Sequence, residues 1–542
     1  MEARTVSKSV SASLSSNGSS SSGASSSALP VPVDEKIVGE GVTFDDVLLL
    51  PRYSDVVPVQ ADASTQLTRG IRLHIPLVSA PMDTVTESAL AIALAQQGGL
   101  GVIHRNIPVE VQAREVQKVK RSANGVIADP LTLSPEDTVA RARQLMGRFH
   151  VSGFPVTEGG APKGKVLGIL TRRDLKFVEN DQTPVGTVMT SGRIITAAPG
   201  TTLGEAEKVL NKHKVEKLLL VDGQGRLAGM ITMRDIDRLG EYPHASLDAR
   251  GRLRCGGAVG VDQYDRAEAL VAADVDVLVV DTSHGHSENV LRTVRTLKKR
   301  FAIEVIAGNI ATADAARALV DAGADAVKAG IGPGSICTTR VVTGVGVPQL
   351  TAVMESVKGV GNSGVGVIAD GGIRQSGDIA KAIAAGASAV MMGSMFAGLD
   401  EAPGEMVIRQ GRRYKSYRGM GSEGAMNAGS ADRYQQHAGA AGGGGPGENP
   451  PPTVIGDKAK QKFVPEGVEG LIAYRGPLNE FVYQMVGGLK ASMGYVGCRT
   501  IAEMHGHARF IKVTGATVVE NHPHDIRITK ESPNYVREGP GE

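Results

Sequence analysis

From about Ile37 onward, short apolar runs alternate with stretches whose apolar residues recur at helical spacing. Eight runs read as strands: Ile75–Met82, Gly99–His104, Gly256–Gly260, Val275–Thr282, Glu304–Ile310, Ala326–Ile331, Val365–Gly372 and Ala389–Gly393. Most are continuously apolar, as parallel strands buried on both faces must be, and several run into glycine or a polar cluster. Segments such as Ala311–Ala322 and Ser376–Ala385 read as the helices between them. Eight strand–helix units predict an α/β fold, a (β/α)8 TIM barrel, with chemistry where the strands end. A doubly wound open sheet is the alternative. It is weakened because no G-x-G-x-x-G follows the first strand and no G-K-[ST] loop occurs.

The series breaks between the second and third strands. Residues 124–243 contain a repeat: Gly168-Ile-Leu-Thr171-Arg-Arg-Asp174 returns as Gly229-Met-Ile-Thr232-Met-Arg-Asp235, 61 residues later. Val151–Val156 and Val215–Leu220 match upstream of each copy. A long unit present only twice predicts two small lobes packed as a pseudo-twofold pair. The repeat resembles the tandem CBS module, whose Thr and Asp positions commonly hold a nucleotide's ribose and phosphate. The plainer reading of Asp174 and Asp235 is helix capping after a turn. The expected domains are a Ser-rich arm over 1–36, barrel over 37–123, CBS units over 124–182 and 183–243, and barrel again over 244–542. The arm reads as a disordered tail; with Arg4 and Lys8 it is also compatible with a transit peptide.

Charge narrows the function. The 59 basic and 57 acidic side chains nearly cancel, so no whole-chain field draws in polyanions. Three cysteines, Cys255, Cys337 and Cys498, cannot make a disulfide framework or a four-cysteine zinc site. They suit a reducing compartment, and a cytoplasmic protein is expected. No apolar run reaches the roughly 18 residues of a membrane span. Glycine supplies 69 of 542 residues, well above its usual share, so the loops need unusual backbone freedom.

The most informative stretch is Gly330-Ile-Gly332-Pro-Gly334-Ser335-Ile-Cys337-Thr-Thr339-Arg340, after the sixth strand. Three glycines in five residues let backbone groups approach a ligand. A cysteine in such a loop is poorly placed for a core and well placed for nucleophilic catalysis. Asp370-Gly371-Gly372 and Met392-Gly393-Ser394 end the seventh and eighth strands, where barrels of this kind often bind phosphate. Ser335, Gly372, Gly393 and Ser394 are therefore phosphate candidates, and Asp370 could hydrogen-bond a ribose diol. A long Gly/Pro-rich excursion follows Tyr417-Arg-Gly419-Met420-Gly421 and runs to about Lys462. It contains Asp432-Arg433-Tyr434, a cluster that a plain linker would not need.

Taken with Asp45-Asp46-Val-Leu-Leu-Leu-Pro51 and Pro81-Met82-Asp83-Thr84-Val85-Thr86-Glu87, these motifs resemble the bacterial-type IMP dehydrogenase family over residues 37–537. The resemblance implies NAD-dependent oxidation of IMP to XMP, the committing step toward guanine nucleotides. It implies Cys337 as nucleophile, Arg433 on a mobile flap (about 420–462) as water activator, and Tyr434 and Thr339 as its positioners. It carries nucleotide binding onto Met82, Ser335, Asp370, Gly371, Gly372, Gly393, Ser394, Tyr417, Gly419, Met420, Gly421 and Glu466. Glu466 would meet the purine N1 edge. The dinucleotide falls to Asp281, Ser283, Asn309, Gly330, Gly332 and Arg340. Potassium falls to carbonyls of Gly332, Gly334 and Cys337, with Glu520, Asn521 and His522 of a neighbouring copy. A regulatory purine nucleotide of the ATP or GTP class at the CBS pair and a homotetramer or octamer are also implied. GMP reductase, which generally lacks the Arg-Tyr pair, and a nucleotide sensor without catalysis are the competing readings.

Overall fold

The computed structural model describes residues 36–122, 127, 130–149, 151–192, 194–434, 436, 463–530 and 532–535. The Ser-rich arm up to residue 35, the Gly/Pro-rich stretch at 438–452 and the remainder of the flap to 462 lie outside the described residues. The chain divides into Met1–Glu40 and Gly41–Glu542, and the barrel with its insertions lies in the second unit.

All eight anticipated strands form one closed parallel barrel: β1 (Leu77–Ser79), β2 (Leu100–Ile103), β3 (Cys255–Val259), β4 (Val277–Asp281), β5 (Glu304–Ile310), β6 (Ala326–Ala329), β7 (Gly366–Asp370) and β8 (Ala389–Met392). The circle closes where Val390 of β8 pairs with Leu77 of β1. The pleat splits each apolar run between two cores. Val277, Val279, Ile306 and Ile368 fill the barrel interior, while Leu278, Val280, Val305 and Val367 pack outward under the helices. Each such side chain removed from water contributes about 1.5–3 kcal/mol, which is why continuous hydrophobicity, not alternation, marks these strands. At the amino-terminal mouth a hairpin, Thr65–Gln66 with Arg72–Leu73, seals the interior with Leu67, Ile71 and Leu73.

Seven helices follow their strands directly, including Ala313–Asp321, capped by the Thr312 hydroxyl, and Ser376–Ala384. The eighth is delayed. After β8 the chain makes the short turn Ser394–Ala397 and an antiparallel sheet of Met406–Arg409, Arg412–Arg418 and Glu469–Ala473. Only then does it form the long helix Leu478–Val496. The excursion carrying Arg433 is thus an enlargement of the last strand-to-helix loop, at the carboxyl-terminal rim of the barrel.

The repeat region enters at the opposite end, between helix Val109–Ser122 and β3. Its first lobe pairs Gly153–Thr157 with Val166–Thr171 over a core of Leu133, Phe154, Val156, Leu170 and Val185. Its second pairs Lys217–Val221 with Leu227–Thr232 over Ala206, Leu210, Leu218 and Ile231. The lobes meet at an antiparallel backbone β-bridge between Lys165 and Arg226 and an apolar seam of Leu219, Leu227 and Met230. This two-lobed insert fits the CBS pair. Asp174 caps the helix Arg172–Leu175, accepting from the Thr171 amide and hydroxyl at 2.7 Å each. A buried clamp stands where the insert joins the barrel: Lys120 Nζ bridges Asp276 at 2.8 Å and Asp248 at 2.9 Å. No helix among the described residues is long and apolar enough to cross a membrane.

Candidate active site

A cavity of about 380 Å³ opens at the carboxyl-terminal rim of the barrel. It is lined by every residue anticipated for catalysis, nucleotide and dinucleotide except Gly421, whose carbonyl accepts the Glu466 amide at 2.9 Å just outside. The strand ends and the Gly330–Arg340 loop thus converge on one space, as the spacing of glycines after β6, β7 and β8 anticipated. Gly330 (φ +149°) illustrates why: a Cβ there would stand 2.2 Å from the Asp370 carbonyl. At Gly393 a Cβ would meet Met82 Sδ and the Tyr417 hydroxyl, both at 2.9 Å.

Cys337 is half-buried, and its Sγ lies 3.2 Å from the Thr339 hydroxyl, which donates to Glu466 Oε2 at 2.8 Å. The two loops carrying this thiol–hydroxyl–carboxylate chain are zipped together, since the Thr338 amide donates to the Glu466 carbonyl at 3.0 Å and Cys337 bridges Gly467. The other two cysteines are buried; at the start of β3, burial pushes the Cys255 thiol far up, so it is an inert core group. Tyr417 is buried and hydrogen-bonded to Ser335, and burial raises its phenol far above the ordinary tyrosine range.

Arg433 and Tyr434 reach this space from the flap. Arg433 pairs with Asp281, the last residue of β4, and its carbonyl accepts from the Ser283 amide at 3.2 Å and hydroxyl at 3.0 Å. Burial pushes its guanidinium below the ordinary arginine range, opposed by the adjacent Tyr434; the positive Arg105 pushes it further down. Burial raises the Tyr434 phenol, and Cys337 and Glu466 add to the effect. Arg340 is engaged by the loop itself: its Nε donates to the Ile331 carbonyl at 3.0 Å and its Nη2 to Val347 at 2.6 Å. Gly332, Gly334 and Cys337 line the cavity, whereas Glu520, Asn521 and His522 lie exposed on the carboxyl-terminal segment, with His522 facing a second cavity of about 1480 Å³.

A profile described as the IMP dehydrogenase / GMP reductase domain matches residues 41–524. The chain belongs to this family. It is similar to an inosine-5'-monophosphate dehydrogenase from Rhodopirellula baltica, 57% identical over 93% of this chain and 89% of that one. A second, from Bacillus subtilis, is 52% identical over 93% of this chain and 99% of the relative. Among solved structures, a cysteine-to-alanine GMP reductase from Trypanosoma brucei in complex with guanosine 5'-monophosphate superposes with a TM-score of 0.80. That likeness has 38% identity and covers 91% of this chain and all of the other.

Sequence reasoning missed the buried cation that joins these strand ends. Lys328 is completely buried on β6, and its ammonium donates to Asp281 at 2.6 Å, Asn309 at 2.7 Å and Asp370 at 3.0 Å. One cation thereby ties the carboxylate at the end of β4 to the carboxylate at the end of β7. An ammonium inside a barrel costs several kcal/mol unless fully paired, and this one has three acceptors. The signal was present: Lys328 is the one charged residue in the apolar run Ala326–Ile331, a charge that a buried strand has to neutralise. Arg105 and Gln263, which hold Asp432, were also missed.

Proposed function

We propose that this chain oxidises IMP to XMP with NAD and water, through a covalent intermediate on Cys337. The thiol–hydroxyl–carboxylate chain in the same cavity as Arg433 and Tyr434 carries the reading. The Cys337 proton passes toward Glu466 by way of Thr339 as Sγ adds to purine C2. Expulsion of hydride from C2 leaves an oxidised purine joined to sulfur. NAD, when bound, supplies the two-electron acceptor. Asp281, Ser283 and Asn309 offer carboxylate, hydroxyl and amide groups suited to its ribose and carboxamide. Water then adds at C2, the carbon–sulfur bond breaks, and XMP and the free thiol result. The balance is IMP, NAD⁺ and water to XMP, NADH and a proton.

The second half needs a base, and Arg433 serves. Its free pKa exceeds about 12, yet a buried guanidine beside a second cation loses part of its preference for the charged form. Its contacts fall on Asp281 and Ser283, the groups assigned to the dinucleotide, so flap and dinucleotide exclude one another and the two half-reactions take turns. Potassium would be held by the carbonyls of Gly332, Gly334 and Cys337, neutral oxygen donors suited to a monovalent cation, completed by Glu520, Asn521 and His522 of a neighbouring copy in a homotetramer or octamer. Among the described residues no His/Cys/Asp/Glu group is arranged to hold a metal ion instead. The two lobes at 124–182 and 183–243 are read as a CBS pair taking a purine nucleotide of the ATP or GTP class. Incubation with IMP, NAD and potassium should yield XMP and NADH in equal amounts. NADPH-driven conversion of GMP to IMP with no XMP would replace this reading by GMP reductase, the activity named for the structural neighbour.

A further inference from the structure

Arg433 is seated on Asp281 and Ser283, contacts that a dinucleotide would remove. A second set of contacts on the neighbouring residue has no such competitor. Arg105 Nη1 donates to both carboxylate oxygens of Asp432, at 2.8 and 2.6 Å, and Gln263 Nε2 donates to Asp432 Oδ2 at 2.9 Å. The arginine is 8% and the aspartate 23% exposed, so the pair is shielded from solvent screening. Gln263 is held in register by accepting from the Gly260 amide at 3.0 Å. Arg105 lies just past β2 and Gln263 just past β3, while Arg433 is held at β4. Consecutive flap residues therefore step around the rim from one strand end to the next. Asp432, Arg105 and Gln263 do not line the 380 Å³ cavity, so they act on chemistry through Arg433 and not by touching a substrate.

We propose that Arg105 and Gln263 are positioning residues that dock the flap through Asp432, setting how often Arg433 occupies the dinucleotide side of the site. This rests on the reading of Arg433 as the hydrolytic base. The Arg105 charge has a second consequence: together with burial it favours a neutral Arg433, against the Tyr434 and Asp281 that face the guanidinium from flap and barrel.

Rapid-quench measurement of NADH and XMP on the full chain separates the steps. Asp432→Asn and Arg105→Gln should keep the rate of the first NADH burst and slow XMP release about tenfold or more, the scale of a lost charge-assisted hydrogen bond. Both should make NADH a stronger product inhibitor, because a weakly docked flap competes less for its site. Arg105→Lys should recover part of the loss, and the pair Arg105→Asp with Asp432→Arg should recover more than either single change. Equal slowing of burst and release in variants with wild-type melting temperature would overturn the proposal, as would wild-type release in both. Arg433→Ala run alongside keeps the two ideas apart. If it slows release while Asp432→Asn and Arg105→Gln do not, the docking post fails alone; if it leaves release unchanged, the base assignment fails first.

Discussion

The barrel carries two large insertions, and they are built on opposite principles. The insert after helix Val109–Ser122 brings its own strands, helices and two apolar cores, and its base is fixed by the buried Lys120 clamp at the end of the barrel away from the cavity. The excursion after β8 reaches the rim through polar pairs: Asp432 on Arg105 and Gln263, Arg433 on Asp281 and Ser283. A segment with a private hydrophobic core is stable wherever it is attached. A segment held by a few charged contacts can be displaced by a ligand offering similar ones, so it can take part in a reaction cycle. Location follows from that difference, since only the second needs to touch the chemistry.

Breaking the rim side should have the largest effects. Cys337→Ser should abolish both hydride transfer and hydrolysis, with NADH and XMP formation falling by about 10³-fold or more, because a hydroxyl is a far poorer nucleophile than a thiolate. Arg433→Ala should leave the first burst of NADH in place and slow XMP release by roughly 10²–10⁴-fold, the usual worth of a general base. In the unaltered chain the hydrolytic step should climb with pH by up to about tenfold per unit if the neutral guanidine is the base, since burial lowers the Arg433 pKa. That climb should be absent from Arg433→Ala; a retained slope would assign the base elsewhere.

Lys328→Met tests the shared centre of the site. Removing the cation leaves buried Asp281 with Arg433 as its remaining ion-pair partner and partly buried Asp370 with the Asn309 amide, and unfolding in urea should show a loss of about 3 kcal/mol. An unchanged midpoint would mean that the carboxylates are hydrated or protonated instead. The smallest effect belongs to the opposite end: a chain lacking 124–243 should fold and retain its IMP oxidation rate. Loss of activity in a folded deletion would show that the two insertions are coupled, and would sharpen attention on Arg105, which stands between β2 and the helix that leads into the insert.

What could be read without coordinates depended on whether the signal was local. The strands announced themselves because parallel strands are apolar throughout, and the glycine clusters after β6, β7 and β8 marked where backbone had to come close to a ligand. Cys337 stood out because its loop cannot bury it. Lys328 was legible in principle but was absorbed into an apolar run. Arg105 and Asp432 were not legible as a pair, being 327 residues apart with nothing in either neighbourhood naming the other.

Composition and periodicity alone thus determined an eight-unit barrel, a twofold repeat set into it and a thiol on a glycine loop, because hydrophobic period and steric freedom are properties of neighbouring residues. Which end of the barrel each insertion occupies, which acid the Thr339 hydroxyl faces, and which carboxylates share the Lys328 charge were decided only in three dimensions. Those are matters of distance between strand ends, and closing the barrel is what brings the strand ends together.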